Sequence, residues 1–261
     1  NLKGGLVIYN RQTTKKVPIM GTHSKRIIDG VWNVKNKLAM IGEDKILSIS
    51  DEDGNVQDQV TLKAPPVSIC FMDLKSDDRM SKNEHFVCVN LNQRSLFLHN
   101  TSKKETPIEL TFQSKYGNIA CARFTGDGYC LVGFQTGYCN LVSIHQAELG
   151  TEVSAVKAHR DALTDISYSG SVKKVATVGD GVVRTYDLDD NQLSDAKSEK
   201  FDLDSEFGAL TNVSWSHDGQ ILTVASKNGA VYGFLTKIPV LSAACGSYTL
   251  FLSSLREMSI R

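Results

Sequence analysis

An apolar strand, a tight turn and a second strand return along this chain at steps of roughly 40 to 50 residues. The clearest copies are Gly181-Val182-Val183-Arg184-Thr185-Tyr186-Asp187 and Gly229-Ala230-Val231-Tyr232-Gly233-Phe234, and weaker ones end near Tyr9, Ser50, Leu98 and Val142. A unit of this length cannot bury its own apolar face, so each copy is stable only when stacked on its neighbours. The repeat runs through the whole chain without a break, which argues for one continuous domain rather than two.

The strands can be placed from composition. Leu38 to Ile41, Phe86 to Val89, Cys130 to Val132, Val175 to Val178 and Ile221 to Ala225 are short apolar runs between turn signals, and they read as strands buried on both faces. The turns Gly42-Glu43-Asp44, Gln135-Thr136-Gly137, Gly179-Asp180-Gly181 and Lys227-Asn228-Gly229 each lead into a second strand. Ahead of two of the buried runs lies another strand, at 119–124 and 210–215, closed by the similar turns Thr125-Gly126-Asp127-Gly128 and Ser216-His217-Asp218-Gly219. More polar outer strands are expected over 55–62, 107–112, 151–157 and 197–203. Apolar inside and polar outside is the gradient of four-stranded sheets packed radially, so the fold class is all-β, a WD40-type propeller of antiparallel blades. Almost no helix is expected, because few segments keep a 3.6-residue period.

The first copy, 5–10, lacks the two strands that should precede it. Counting gives about five near-complete blades and a fragment of a ring that commonly closes with about seven. The expectation is therefore that blades are missing before Asn1, that 1–247 forms the propeller, and that 248–261 is a strand pair leading toward a second one. The 29 basic and 29 acidic side chains cancel, so no global field draws nucleic acid or an anionic membrane. No apolar run has the length of a membrane helix, and the start does not read as a signal peptide. The cysteines Cys70, Cys88, Cys121, Cys130, Cys139 and Cys245 form no CxxC and read as buried free thiols in a reducing compartment.

His23 and His159 each stand before a first strand, and Asp44 and Asp180 follow each of them after the same interval of 21 residues. With Thr177 and Tyr186, His159 and Asp180 are expected to form a buried hydrogen-bond chain that ties the loop before the blade to its central hairpin. A catalytic role for the same pair would need a nucleophile beside it. No nucleophile elbow, phosphate loop, dinucleotide fingerprint or HExxH is present, so no catalytic, cofactor-binding or metal residue is assigned and no cofactor is expected. His85, His99, His145 and His217 read as surface or edge residues. The acidic run Asp187-Leu188-Asp189-Asp190 reads as a solvated turn, since a calcium loop needs further spaced oxygen ligands. Two lengthened connections, 74–84 and 187–200, are the candidates for recognition, with a plain solvated loop as the simpler reading of each.

Some stretches go beyond a generic repeat. Gly5 to Asn10, Leu38 to Lys45, Tyr116 to Ile119, and above all Asp218-Gly219-Gln220 through Phe234-Leu235-Thr236-Lys237-Ile238-Pro239-Val240-Leu241 resemble one family. It is the WD-repeat subunit of intraflagellar transport complex A known as WD repeat-containing protein nineteen, and the likeness covers the later part of its first propeller. The resemblance implies a non-enzymatic scaffold of the cilium, at the axoneme, the ciliary base and in the cytoplasm. It implies a place in a hetero-oligomer with other complex A subunits and cargo adaptors, supporting retrograde transport and ciliary entry of membrane proteins. The alternatives are another WD-repeat coat scaffold and a propeller hydrolase with an active site at the channel.

Overall fold

The computed structural model describes the chain except for residues 1, 75–83, 102–106, 127, 146, 147, 189–191, 204–207, 237–241, 255, 256 and 261. Four consecutive four-stranded antiparallel sheets form its body. The first blade is β3 (Ile27–Trp32), β4 (Leu38–Gly42), β5 (Ile46–Ser50) and β6 (Val56–Thr61), and the second is β7 (Pro66–Leu74), β8 (Glu84–Leu91), β9 (Ser95–Asn100) and β10 (Ile108–Thr111). The third is β11 (Ile119–Phe124), β12 (Tyr129–Phe134), β13 (Tyr138–Ser143) and β14 (Glu152–Lys157), and the fourth is β15 (Leu163–Ser169), β16 (Lys174–Gly179), β17 (Val182–Asp187) and β18 (Ser198–Asp202). A fifth blade has three strands among the described residues, β19 (Leu210–Trp215), β20 (Ile221–Ser226) and β21 (Val231–Leu235). Ahead of the first blade, β1 (Leu6–Tyr9) pairs with β2 (Lys16–Ile19) alone, as expected for the outer half of a blade. After the fifth, β22 (Ser242–Cys245), β23 (Tyr248–Ser254) and β24 (Glu257–Ile260) form one sheet, so that sheet begins earlier than the strand pair read from sequence. Among the described residues, helix is confined to 3-10 turns such as Ser114–Tyr116 and Asp195–Lys197.

The innermost strands β3, β7, β11, β15 and β19 neighbour one another in that order around an arc. Side chains alternate along each strand, so a blade sends one set of residues toward the blade before it and the other toward the blade after it. The core is divided accordingly. Ala39, Ile41, Leu47 and Ile49 of the first blade meet Ile69, Val87, Val89 and Phe97 of the second. Met72, Cys88, Leu96 and Leu98 then meet Ile119, Cys130, Val132 and Phe134 of the third, and Leu131, Cys139 and Leu141 meet Ile166, Val175 and Tyr186 of the fourth. Ala176, Val178 and Val183 close the series against Leu210, Val213, Leu222 and Val224. Each fully buried aliphatic side chain contributes about 1.5 to 3 kcal/mol, so the four seams supply most of the apolar stabilisation of the arc.

β4, β12 and β16 are buried on both faces, as their composition predicts. β20 differs. Its Leu222 and Val224 are buried against the fourth blade, whereas Ile221 on the other face is 42% exposed. The sequence of β20 is as apolar as that of β16, but no described blade covers its far side. The cysteines divide in the same way. All six are free thiols, Cys88, Cys121, Cys130 and Cys139 are buried, Cys70 is half-buried, and Cys245 on the uncovered strand β22 is exposed.

The second-to-third-strand turns also depart from a simple reading. Asp180 and Gly181 both take positive φ, the primed turn that Asp-Gly signals. In the first blade the left-handed residue is Lys45, with φ 60° and its N–H on the Gly42 carbonyl at 3.0 Å. Gly137 and Gly229 hold the same place in the third and fifth blades, bonded to Phe134 and Ser226. Lys45→Gly should therefore stabilise the chain by about 0.5 to 1 kcal/mol by removing the Cβ strain of a left-handed residue. A chemical denaturation midpoint that falls, or stays put, counts against this account of the turn.

Candidate functional site

In an antiparallel meander, the loop entering the innermost strand and the turn between the second and third strands lie at the same end of the blade. That end carries both histidines. His23 is 2% exposed and uses both ring nitrogens, Nδ1 at 3.1 Å from Asp44 Oδ1 and Nε2 at 2.9 Å from Ser48 Oγ. Asp44 Oδ2 accepts the Ser24 N–H at 2.8 Å, so the carboxylate fastens the loop to the hairpin. Burial works to raise the Asp44 pKa, but the His23 ring and the Ser24 N–H together hold it below the usual value.

The fourth blade builds the same support differently. His159 is 3% exposed and its Nε2 lies 3.0 Å from Thr177 Oγ1. Asp180 does not bond the ring; its Oδ2 accepts the Asp161 N–H at 2.8 Å and so holds the loop directly. His159 Nδ1 and the Tyr186 hydroxyl find no hydrogen-bond partner among the described residues, so the four-member chain expected from sequence forms only in part. Ser48 pairs with Met40 across the sheet, and Thr177 pairs with Arg184 at the matching register, so the hydroxyl has moved from the third strand to the second. In both blades a glycine ends the second strand beside the ring. A Cβ on Gly42 would stand 2.6 Å from His23 Nδ1, and one on Gly179 2.8 Å from His159 Cγ.

Burial pushes the His159 pKa down to about 4, and the nearby Asp180 charge offsets this only in part. The folded chain therefore keeps the ring neutral where the unfolded chain, titrating near 6.5, takes up a proton. The neutral ring's contribution is intact above pH 6.5 and is lost as pH falls toward 4, in all about 3 kcal/mol at about 1.4 kcal/mol per pH unit. His159→Gln should flatten the slope of unfolding free energy against pH in that window, measured by urea titration. An unchanged slope would remove His159 as its cause.

A third network was not legible beforehand. Tyr116, 1% exposed, sits in the loop before β11, where the first and fourth blades have histidine. Its hydroxyl donates to Glu152 Oε2 at 2.7 Å, and Asn140 Nδ2 donates to the same oxygen at 3.0 Å. Asn140 pairs with Val132, which places it at the register position of Ser48. Its sequence signal was Tyr116-Gly117, an aromatic before a glycine at a loop that lacks His. His85 and His99 also differ from expectation, being buried because β8 and β9 lie between blades. His99 Nε2 reaches back 2.8 Å to Asp58 on β6 of the preceding blade. His145 is half-buried, edge-on to Tyr129 at 5.2 Å, and His217 is exposed as expected.

At the same end, all five innermost strands carry a β-bulge at the same step, between Ile27 and Asp29, Pro66 and Ser68, Ile119 and Cys121, Leu163 and Asp165, and Leu210 and Asn212. The residues beside these bulges line a central cavity of about 570 Å³. Two carboxylates there reach the next blade. Asp29 Oδ2 accepts the Ile69 N–H at 3.1 Å, and Asp165 Oδ2 accepts the Val213 N–H at 3.1 Å. Asp165 Oδ1 also receives Arg123 Nη2 from the blade before it at 3.0 Å. Burial raises the Asp165 pKa, opposed by the Arg123 charge and the Val213 N–H. Both channel acids are thus occupied with bonds between blades. Among the described residues no His, Cys, Asp and Glu group is arranged to hold a metal, and no helix is long and apolar enough to cross a membrane.

The two lengthened connections belong to the opposite end. Residues 75–83 lie outside the described residues, as do Asp189 and Asp190 of the acidic run, while Asp187 pairs with Lys174 at 3.1 Å. The described part of 187–200 packs back on the body. Leu188 and Leu193 enter the seam between the third and fourth blades, and the Leu193 N–H donates to Ser154 Oγ at 3.0 Å. This segment fastens two blades, which the sequence reading of a recognition loop did not anticipate.

The family model described as WDR19 first beta-propeller matches residues 1–229. The chain belongs to that family. Over 99% of its length it is 39% identical to WD repeat-containing protein 19 of Homo sapiens, and over its whole length 28% identical to WD repeat-containing protein dyf-2 of Caenorhabditis elegans. It spans only 19% and 18% of those proteins. Among solved structures, the Cps50 (Swd1) beta-propeller domain of Myceliophteria thermophila superposes with a TM-score of 0.67 over 90% of this chain and 78% of that one. At 17% identity this supports the propeller fold and nothing finer. In this chain, the histidine-tied loops and the bulged channel strands are parts of one arc of blades. The segment 237–241, which carried the end of the strongest family likeness in sequence, lies outside the described residues.

Proposed function

We propose that this propeller is the interaction module of a non-enzymatic scaffold subunit of intraflagellar transport complex A. It binds other complex A subunits and cargo adaptors, and it serves retrograde ciliary transport and the entry of membrane proteins into cilia. Its place is the ciliary axoneme, the ciliary base and the cytoplasm. The observation that carries this reading is the 39% identity to WD repeat-containing protein 19 along 99% of the chain. The geometry agrees with a surface that presents several loops at once with no bond made or broken. His23 with Asp44, the Asp161 N–H with Asp180, and Tyr116 with Glu152 fix three loops of one face from below. The propeller proper ends with the fifth blade, and the sheet that opens at Ser242 leads toward a second one.

Affinity purification of the tagged protein from ciliated cells should recover complex A subunits. Recovery of none of them, from cells in which the protein is folded and present, would sink the assignment. Loss of a hydrolytic turnover on changing Asp29 or Asp165 would instead favour an enzyme of the channel.

A further inference from the structure

The pairing of β7 with β8 sets Cys70 directly opposite Cys88. Directly opposed residues of an antiparallel pair project to the same face with Cα atoms about 4.5 or 5.5 Å apart. Both values lie inside the roughly 4.4 to 6.8 Å span that a disulfide bridges. The two thiols differ in access. Cys70 is half-buried and lines the central cavity, whereas Cys88 is 1% exposed in the seam with the third blade, near Cys130. Contact with the Cys70 thiol and burial together push the Cys88 thiol well above its usual range, which marks the two sulfurs as near neighbours.

We propose that Cys70 and Cys88 form a peroxide-sensitive dithiol, with Cys70 the attacked sulfur and Cys88 the resolving one. Cys70, as thiolate, attacks the O–O bond of hydrogen peroxide and becomes a sulfenic acid, and the departing hydroxide takes up a proton to leave as water. The Cys88 sulfur then attacks the Cys70 sulfur, the S–O bond breaks, and the Cys88 proton leaves with that oxygen as a second water. Two thiols and one peroxide thus give one disulfide and two waters. The bridge would join the two innermost strands of the second blade one residue beyond Ile69, whose N–H the first blade holds through Asp29.

The reduced chain is treated with hydrogen peroxide under native conditions, alkylated, and mapped by mass spectrometry without reduction. A Cys70–Cys88 crosslinked peptide is expected as the main intramolecular product, and dithiothreitol should reverse it. The exposed Cys245 serves as the single-thiol control. In Cys88→Ser, Cys70 should accumulate as a dimedone-trapped sulfenic acid, and in Cys70→Ser, Cys88 should stay reduced at the same dose. Circular dichroism identifies any variant that has lost the fold, and the wild-type map then decides alone. The proposal is overturned if peroxide leaves Cys70 and Cys88 unlinked in the wild-type chain. It is equally overturned if Cys88 links to Cys130 instead, or oxidises as fast without Cys70.

Discussion

Asp165→Ala is expected to lower the unfolding free energy by about 3 kcal/mol, at the upper end for a single side chain near a solvent-filled channel. The carboxylate is only 8% exposed and joins three blades, through Arg123 of the third and the Val213 N–H of the fifth. Truncation leaves that backbone N–H, on a residue 5% exposed, without its acceptor, and that loss dominates. The ion pair is the smaller part, because Arg123 is 41% exposed and can turn to water. Asp165→Asn keeps an oxygen for Val213 while removing the charge, so it should cost about 1 kcal/mol. Equilibrium unfolding of the two variants separates the contributions. Equal losses in both would show that the charge, and not the backbone acceptor, joins the blades.

Gly137→Ala should cost about as much, again about 3 kcal/mol, for a steric reason. Gly137 has φ 84°, and an added Cβ would run into the His159 carbonyl oxygen and stand 2.5 Å from that of Asp161. The obstacle is backbone, so it cannot rotate away. The His159 N–H also donates to the Gly137 carbonyl at 3.0 Å, which means the turn of the third blade and the loop entering the fourth would be forced apart together. Gly229→Ala is the matched control. Its φ is 85°, yet an added Cβ meets nothing within 4 Å, so only the left-handed strain of about 1 kcal/mol applies. A thermal melt in which the two alanine variants fall equally would dismiss the clash and leave the backbone conformation as the whole effect.

These two sites mark where a sequence can and cannot be read. The blades were legible because Leu38 to Ile41 or Val175 to Val178 leave little choice once flanked by turns. The His and Asp pairs were legible because loop and hairpin are close along the chain. Asp165 was not, since its acceptor role exists only after β15 and β19 are brought side by side, 48 residues apart along the chain for Val213. Tyr116 and Glu152 escaped for a similar reason, 36 residues separating a loop from an outer strand. The bond expected between His159 and Asp180 depends on how one ring is turned, which spacing alone does not fix. β20 looked buried on both sides because burial belongs to the neighbouring blade as much as to the strand.

The repeated bulge gives the arc a property of its own. A strand's side-chain period is two, so a one-residue insertion before an ordinary strand would turn its whole apolar set to the wrong face. Here the extra residue of every innermost strand is already housed at the same step, just after the first pair of the ladder at the loop end. Each bulge acts as a clutch, so loops on that face can lengthen or shorten by a residue while Ile69, Ile166 or Val213 stays seated in its seam. Loops of different length can thus be carried on one unchanging set of blades.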